Sequence, residues 1–285
     1  MKDLKFLESL NPGDHEFIPG AEIMWVGKGK PDHIPEGYKH VITKRWKDFV
    51  AEKESRKLKA VDGDLVCTTP KKWRKFESGV FHVGVFEGKF KPWVTTRPAF
   101  VYSNGKHPKP IPGIDIYSVG TGALFFVRDS NIPEYLVFGG RHWREVGGEI
   151  DTLPAGFLKL SDLQYPDRLI HGLDRESKEE IVEPNYVKED GVMKTDYWRN
   201  LTACYEAGAE IKDIEKGFDL QEQKDLIVLK RKIPKASKYG EEGLFMVPLG
   251  TLDRYVSENL EKHGNRKIGE RASLLLKKYF ERESR

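Results

Sequence analysis

The run Arg175-Glu176-Ser177-Lys178-Glu179-Glu180 places three carboxylates within five residues. If the run is helical, Glu176, Glu179 and Glu180 converge, because positions i, i+3 and i+4 are neighbours on a helix surface. Like charges at that spacing repel unless a cation sits among them. A hard divalent ion such as Mg2+ is the natural partner of carboxylate oxygens. The same residues also suit a solvated helix face balanced by Arg175 and Lys178, and the spacing alone leaves both readings open.

The flanking residues predict the helix that this spacing requires. Pro166 suits a first helical turn, where its missing N–H costs little, and Asp167 favours the positive N-terminal end. Pro184 marks a stop, since the residue before a proline is pushed away from helical geometry. The helix is expected from about 166 to about 182. Ile170, Leu173, Ser177 and Ile181 then share one side, and Glu176, Glu179, Glu180 and Glu183 cluster on a neighbouring one.

The charged run resembles the core of the Nudix box, the signature of the Nudix hydrolases. That signature is Gly, five residues, Glu, seven residues, then Arg-Glu-apolar-any-Glu-Glu-any-Gly-apolar. Arg175, Glu176, Glu179 and Glu180 match its four charged positions, and Asp167 stands where the family has its first Glu. Pro154-Ala155-Gly156-Phe157 resembles the turn that precedes the box, placed about five residues further upstream, which implies a lengthened loop. Ser161, Ser177 and Val182-Glu183 depart from the pattern. Tyr205-Glu206-Ala207-Gly208-Ala209 resembles the end of such a box but lacks its Arg and two of its carboxylates.

The resemblance implies an α/β fold, a Nudix-like α/β/α sandwich with a mixed sheet. It implies Mg2+ or Mn2+ held by Glu176, Glu179 and Glu180, with Arg175 orienting one of them and the Gly156 turn bringing backbone close to metal or phosphate. The reaction it implies is hydrolysis of the pyrophosphate linkage in a nucleoside diphosphate derivative, such as a nucleotide sugar or an ADP-ribose-like molecule. A nucleotide-binding Nudix fold without catalysis and a hydrolase acting on RNA 5′ ends are the alternatives. The general base is a box Glu or a carboxylate from a later loop, with Glu206 and Asp219 as candidates. Arg141 and Arg144 lie just before the turn and could reach phosphates, and Trp143 could stack on a base or fill a core.

Composition narrows the partners. The chain has 285 residues, 38% hydrophobic and 33% charged, with a net charge of +3. That is enough for one sizeable core plus an extension. The mild positive charge permits nucleic acid without demanding it. Lys71-Lys72-Trp73-Arg74-Lys75 is one basic run around an aromatic, which could track a nucleic-acid backbone. Cys67 and Cys204 are too few for a disulfide framework or a zinc cluster. The charged N-terminus does not read as a signal peptide, and no apolar run reaches the length of a bilayer span. These features predict a soluble cytoplasmic protein.

Residues 1–115 are expected to form a β-rich N-terminal extension, serving substrate specificity or a homodimer contact. It holds a short strand at Ala21–Val26 and a helix from about Lys44 to Lys57. Hairpins are expected around Asp62-Gly63 and around Glu87-Gly88-Lys89. Residues 116–285 are expected to be the hydrolase domain. Tyr117–Arg128, apolar on both faces, reads as a buried central strand, followed by a strand at Tyr135–Phe138, the glycine-rich turn and the carboxylate helix. Glu183–Tyr197 reads as a polar insertion. Strands are expected at Asp225–Lys232 and Gly243–Val247, and helices around Leu252–Leu260 and from about Lys267 to Glu283.

Overall fold

The structure is a computed structural model. It describes residues 7–284 except 9, 11, 20–22, 29–33, 35, 56, 58, 76–79, 110, 131, 142–149, 225, 234–240 and 262–267. Its spine is β5 (Tyr117–Asp129), buried along its first eleven residues. Alternate side chains of this strand enter two different cores. Val119, Phe125 and Val127 join one, and Leu124 and Phe126 join the other. A strand that is apolar on both faces needs cover on both faces.

That cover makes the α/β/α sandwich. Strands β6 (Ile132–Arg141), β9 (Tyr186–Thr195), β10 (Asn200–Glu210), β11 (Phe218–Gln223), β12 (Leu226–Arg231) and β13 (Glu241–Pro248) extend the sheet on either side of β5. The order, starting from β1 (His15–Pro19), is β1-β9-β10-β5-β6-β13-β12-β11. The sheet is mixed: β10 runs parallel to β5, whereas β6 runs antiparallel to it. Helix α3 (Arg168–Glu180) places Leu169 and Leu173 in the first core, and α4 (Ile211–Gly217) adds Ile214. Helices α5 (Leu252–Glu261) and α6 (Glu270–Glu283) cover the opposite face with Leu252, Val256, Leu275, Leu276 and Phe280.

The first 115 residues join the same sheet. Strand β3 (Asp64–Lys75) pairs with both β4 (Phe81–Lys89) and the start of β5, and β2 (Ile23–Lys28) pairs with β4. Helices α1 (Glu36–Ser55) and α2 (Phe90–Thr96) enclose a third core with Ile42, Cys67, Phe86 and Trp93.

The fold departs from the sequence expectations at several elements. The Asp62-Gly63 hairpin does not form. Instead the Asp62 carboxylate accepts the Lys91 N–H at 2.8 Å and the Gly63 carbonyl accepts the Phe90 N–H at 2.9 Å. These bonds satisfy the first orphan donors of α2, so Phe90–Thr96 is helix rather than the second arm of a hairpin. Glu183–Tyr197 contains β9, which lies between β1 and β10 and buries Val192 and Met193. Pro166 lies just before the helix, whose N-cap is Asp167. Tyr205–Ala209 falls inside strand β10, so it cannot present carboxylates at helical spacing. No described helix is long and apolar enough to cross a membrane.

Candidate functional site

Strands β7 (Ile150–Thr152) and β8 (Ala155–Phe157) pair with β6 and β5 respectively, and the Pro154-Ala155-Gly156-Phe157 turn is pinned to the spine. The Ala123 N–H donates to the Pro154 carbonyl at 3.0 Å, and the Leu158 N–H to the Val119 carbonyl at 3.0 Å. A Cβ on Gly120 of β5 would lie 2.6 Å from the Gly156 carbonyl oxygen. Only glycine lets β8 come that close to β5.

Helix α3 lies across β8. Leu169 and Leu173 anchor it, which turns Glu176 and Glu180 toward the turn and leaves Glu179 exposed. Glu176 meets Gly156 so closely that a Cβ there would overlap its carboxylate. Glu180 Oε2 accepts the Ala155 N–H at 3.0 Å. Glu179 Oε1 accepts from Lys159 Nζ at 3.1 Å. Burial raises the pKa of Glu176, and the adjacent Arg175 guanidinium opposes that rise without cancelling it.

Arg175 ties the assembly together. It pairs with Glu176, lies 3.7 Å from Glu179 and donates to the Phe157 carbonyl at 2.9 Å. Its remaining contacts go to Asp162, at 3.0 and 3.3 Å. Burial lowers the arginine's pKa, but Asp162 and Glu176 outweigh it and the net shift is upward. A fork-shaped guanidinium suits this role, since it can meet carboxylates on two sides at once.

Asp162 was not anticipated. Asp167, at the position of the family's first Glu, is the N-cap residue of the helix, whereas Asp162 is the fully buried carboxylate that meets Arg175. It belongs to a short 3-10 turn, Leu160–Gln164, and also accepts the Lys159 N–H at 2.8 Å. An acid three residues after a turn start, reaching back to its N–H, was the available signal. Burial pushes the Asp162 carboxyl up, but Arg175, the Lys159 N–H and His171 together bring it below the usual range. Arg231 was missed as well: its guanidinium donates to the Glu179 carbonyl at 3.0 Å and to the Glu180 carbonyl, closing the C-terminal end of α3. Ser177, where the Nudix pattern has an apolar residue, is buried with no partner for its hydroxyl.

The other sequence candidates separate from this centre. Arg141 is the last residue of β6, and its side chain lies outside the described residues, as do Trp143 and Arg144. Glu206 lies on β10 among residues that face α6, and it pairs with Arg282. Asp219 is an exposed residue of β11, 4.0 Å from Lys232 Nζ. Trp73 donates to Thr68 Oγ1 at 3.0 Å and packs edge-on against Tyr117, so its ring fills the fold rather than standing free.

The donor chemistry around Gly156 fits a hard divalent cation: three carboxylates, two of them buried. The cations now among them are Arg175 and Lys159. Among the described residues, the His, Asp and Glu ligand atoms that all fall within 4.8 Å of one another belong to Asp14, His15 and Glu270, so the three α3 carboxylates do not converge to that distance. The Asp14 group is already engaged. Asp14 accepts from Thr195 Oγ1 and from the Tyr197 N–H, and His15 Nδ1 lies 2.9 Å from the Pro12 carbonyl.

The fold is an α/β/α sandwich around a mixed sheet. Among solved structures, the chain is similar to Tm1382, provisionally assigned to the Nudix hydrolases. The TM-score is 0.43 at 11% identity, over 76% of this chain and 100% of that one. It is also similar to the Nudix domain of NrtR from Shewanella oneidensis, crystallised with ADP ribose. There the TM-score is 0.38 at 13% identity, over 61% of this chain and 94% of that one. A third is the pyrophosphohydrolase BsRppH from Bacillus subtilis, with TM-score 0.34 and 12% identity over 58% and 81% of the two chains. No family model and no curated protein matches the chain.

Proposed function

We propose that the chain hydrolyses the pyrophosphate linkage of a nucleoside diphosphate derivative with Mg2+ or Mn2+. The observation that carries this reading is the seating of Glu176 on Gly156, where any side chain would displace the carboxylate. A glycine turn, two buried carboxylates and an exposed third are brought together on rigid elements. Glu176, Glu179 and Glu180 would hold the cation. When bound, it supplies charge neutralisation for the pyrophosphate and activation of the attacking water. Arg175 fixes the orientation of Glu176 through its grip on Asp162 and the Phe157 carbonyl. The Ala155 N–H holds Glu180. Residues 1–115 would form an extension that shapes the substrate side or a homodimer contact, and the protein would work in the cytoplasm.

A second reading is favoured by one observation. Glu176 pairs with Arg175 and Glu179 with Lys159, so two of the three carboxylates have cationic side chains as partners. A nucleotide-binding Nudix fold without turnover would keep that arrangement.

The test is a panel of nucleotide sugars, ADP-ribose, dinucleoside polyphosphates and capped RNA, each with and without Mg2+ or Mn2+. Glu179→Gln and Glu180→Gln are expected to lower metal-dependent turnover by about 100-fold or more. Turnover unchanged in both variants would overturn the site. Saturable binding with no turnover in the wild type would establish the second reading.

A further inference from the structure

Arg97 follows the last turn of α2 and lies against the β9–β10 connection. Its guanidinium is held between two indoles, 4.7 Å from the ring centroid of Trp93 and 4.8 Å from that of Trp198. Trp93 is a fixed platform. It is buried, it donates Nε1–H to the Arg199 carbonyl at 3.0 Å, and its ring meets Phe157 edge-on at 5.0 Å. Trp198 sits in a turn held by hydrogen bonds from the Trp198 N–H to Thr195 and from the Tyr197 N–H to Asp14.

The charge in this sandwich is not balanced. Among the described residues no carboxylate pairs with Arg97, and its Nε is sealed from water without a hydrogen-bond partner. Several other inward-facing arginines are served differently. Arg199 has Asp115 at 2.9 Å, Arg271 has Asp151 at 2.9 Å and Arg175 has Asp162, while Arg45, whose Nε is likewise unpartnered, donates to the Thr95 and Lys109 carbonyls at 2.7 Å. Burial holds the Arg97 guanidinium down at about 10, with only Tyr197 acting against it. Aromatic faces recover only part of the cost of taking a guanidinium out of water. With Nε sealed and two indoles against the guanidinium, the part left to a ligand is the outer fork. That fork matches two oxygens of one tetrahedral anion, whose double charge supplies what the protein omits.

We propose that Arg97, clamped between Trp93 and Trp198, binds a phosphate group, free or carried by a nucleotide. The site lies across β8 from the α3 carboxylates: Gly156 faces Glu176, whereas its neighbour Phe157 faces Trp93. It does not depend on the hydrolase reading.

Both indoles report on the site, so the test is tryptophan fluorescence of the full chain. Inorganic phosphate is titrated at constant ionic strength in chloride, followed by AMP and then acetate. A saturable change with phosphate or AMP is expected. Arg97→Lys keeps the charge but loses the fork, and it is expected to weaken binding by about tenfold or more. Arg97→Met is expected to abolish it, and Glu179→Gln to titrate like the wild type. A tighter response to AMP assigns the phosphate to a nucleotide, and a tighter response to inorganic phosphate assigns the free ion. Three results would overturn the site: no saturable change up to about 10 mM of either ligand, an equal response to acetate, or wild-type affinity in Arg97→Lys and Arg97→Met. Loss of binding in Glu179→Gln would move the anion to α3 and overturn it as well.

Discussion

Arg175 and Arg282 each gather several carboxylates, by different routes. Arg175 meets Asp162, Glu176 and Glu179, all from one helix and the turn before it. Arg282 meets Glu206 of β10, Asp190 of β9 and its own neighbour Glu283. The Arg175 side chain is 16% exposed and the Arg282 side chain 42%. Around Arg175 the carboxylates lean on a glycine turn, and Glu180 takes a backbone N–H. Around Arg282 the pairs fasten a helix to a sheet. Charge clusters of similar composition thus serve two ends. One is a carboxylate cluster seated on a glycine turn, and the other is a half-exposed seam between elements.

The largest expected difference comes from cutting each arginine. Arg175→Met leaves Asp162 fully buried without its cation, which costs about 3–5 kcal/mol. Arg282→Met should cost less, about 1–2 kcal/mol, because Arg282 is itself 42% exposed although it leaves the 13%-exposed Glu206 without that cation. Urea unfolding of the two variants measures both. The first loss also depends on pH in a definite direction. Asp162 is held below its ordinary value in the folded chain, so its stabilisation is complete above about pH 4 and is lost as the pH falls through the depressed value. The gap between wild type and Arg175→Met should narrow on acidification below about pH 4. Equal losses in the two variants at neutral pH would erase the distinction between cluster and seam.

The same contrast explains what could be read in advance. Helix α3 was legible because Pro166, Pro184 and the spacing of Leu173 and Ser177 are local properties of the chain. The β5 strand was legible from its unbroken apolar run, and α5 and α6 from the spacing of Leu252 and Val256 and of Ala272, Leu275 and Leu276. Asp162 was not, since it sits in an irregular turn where no period operates and only the folded chain brings it to Arg175. Strand β9 was hidden because Lys188, Glu189 and Asp190 give it a polar reading, while β1 and β10 supply its pairing from distant parts of the chain. The Arg282 cluster joins residues from three separate elements, and no local spacing announces it.

Gly156→Ala tests the cluster from the backbone side. The added methyl meets the Glu176 carboxylate, so either the turn or the helix must shift. Overpacking of this kind costs about 1–3 kcal/mol, and a displacement near 1 Å at a reacting centre costs about 100-fold in rate. Gly217→Ala is the control, because nothing lies within 4 Å of the added carbon. Thermal unfolding and kcat/KM on the best substrate of the panel give both readouts. A Gly156→Ala protein with wild-type melting and turnover would show that the close approach is dispensable.

Glu206→Gln gives the smallest expected effect and probes the seam. Along β10, Leu201, Ala203, Tyr205, Ala207 and Ala209 face the core under α3, so Glu206 points to the face covered by α6. A general base on that face would have to act through the thickness of the sheet. Neutralising Glu206 removes its pairing with Arg282 but leaves the amide in place, which should cost about 1 kcal/mol or less. Metal-dependent turnover should stay within about twofold of wild type. Collapse of turnover with melting unchanged would place the reacting groups on the α6 face, against the assignment of the site to α3.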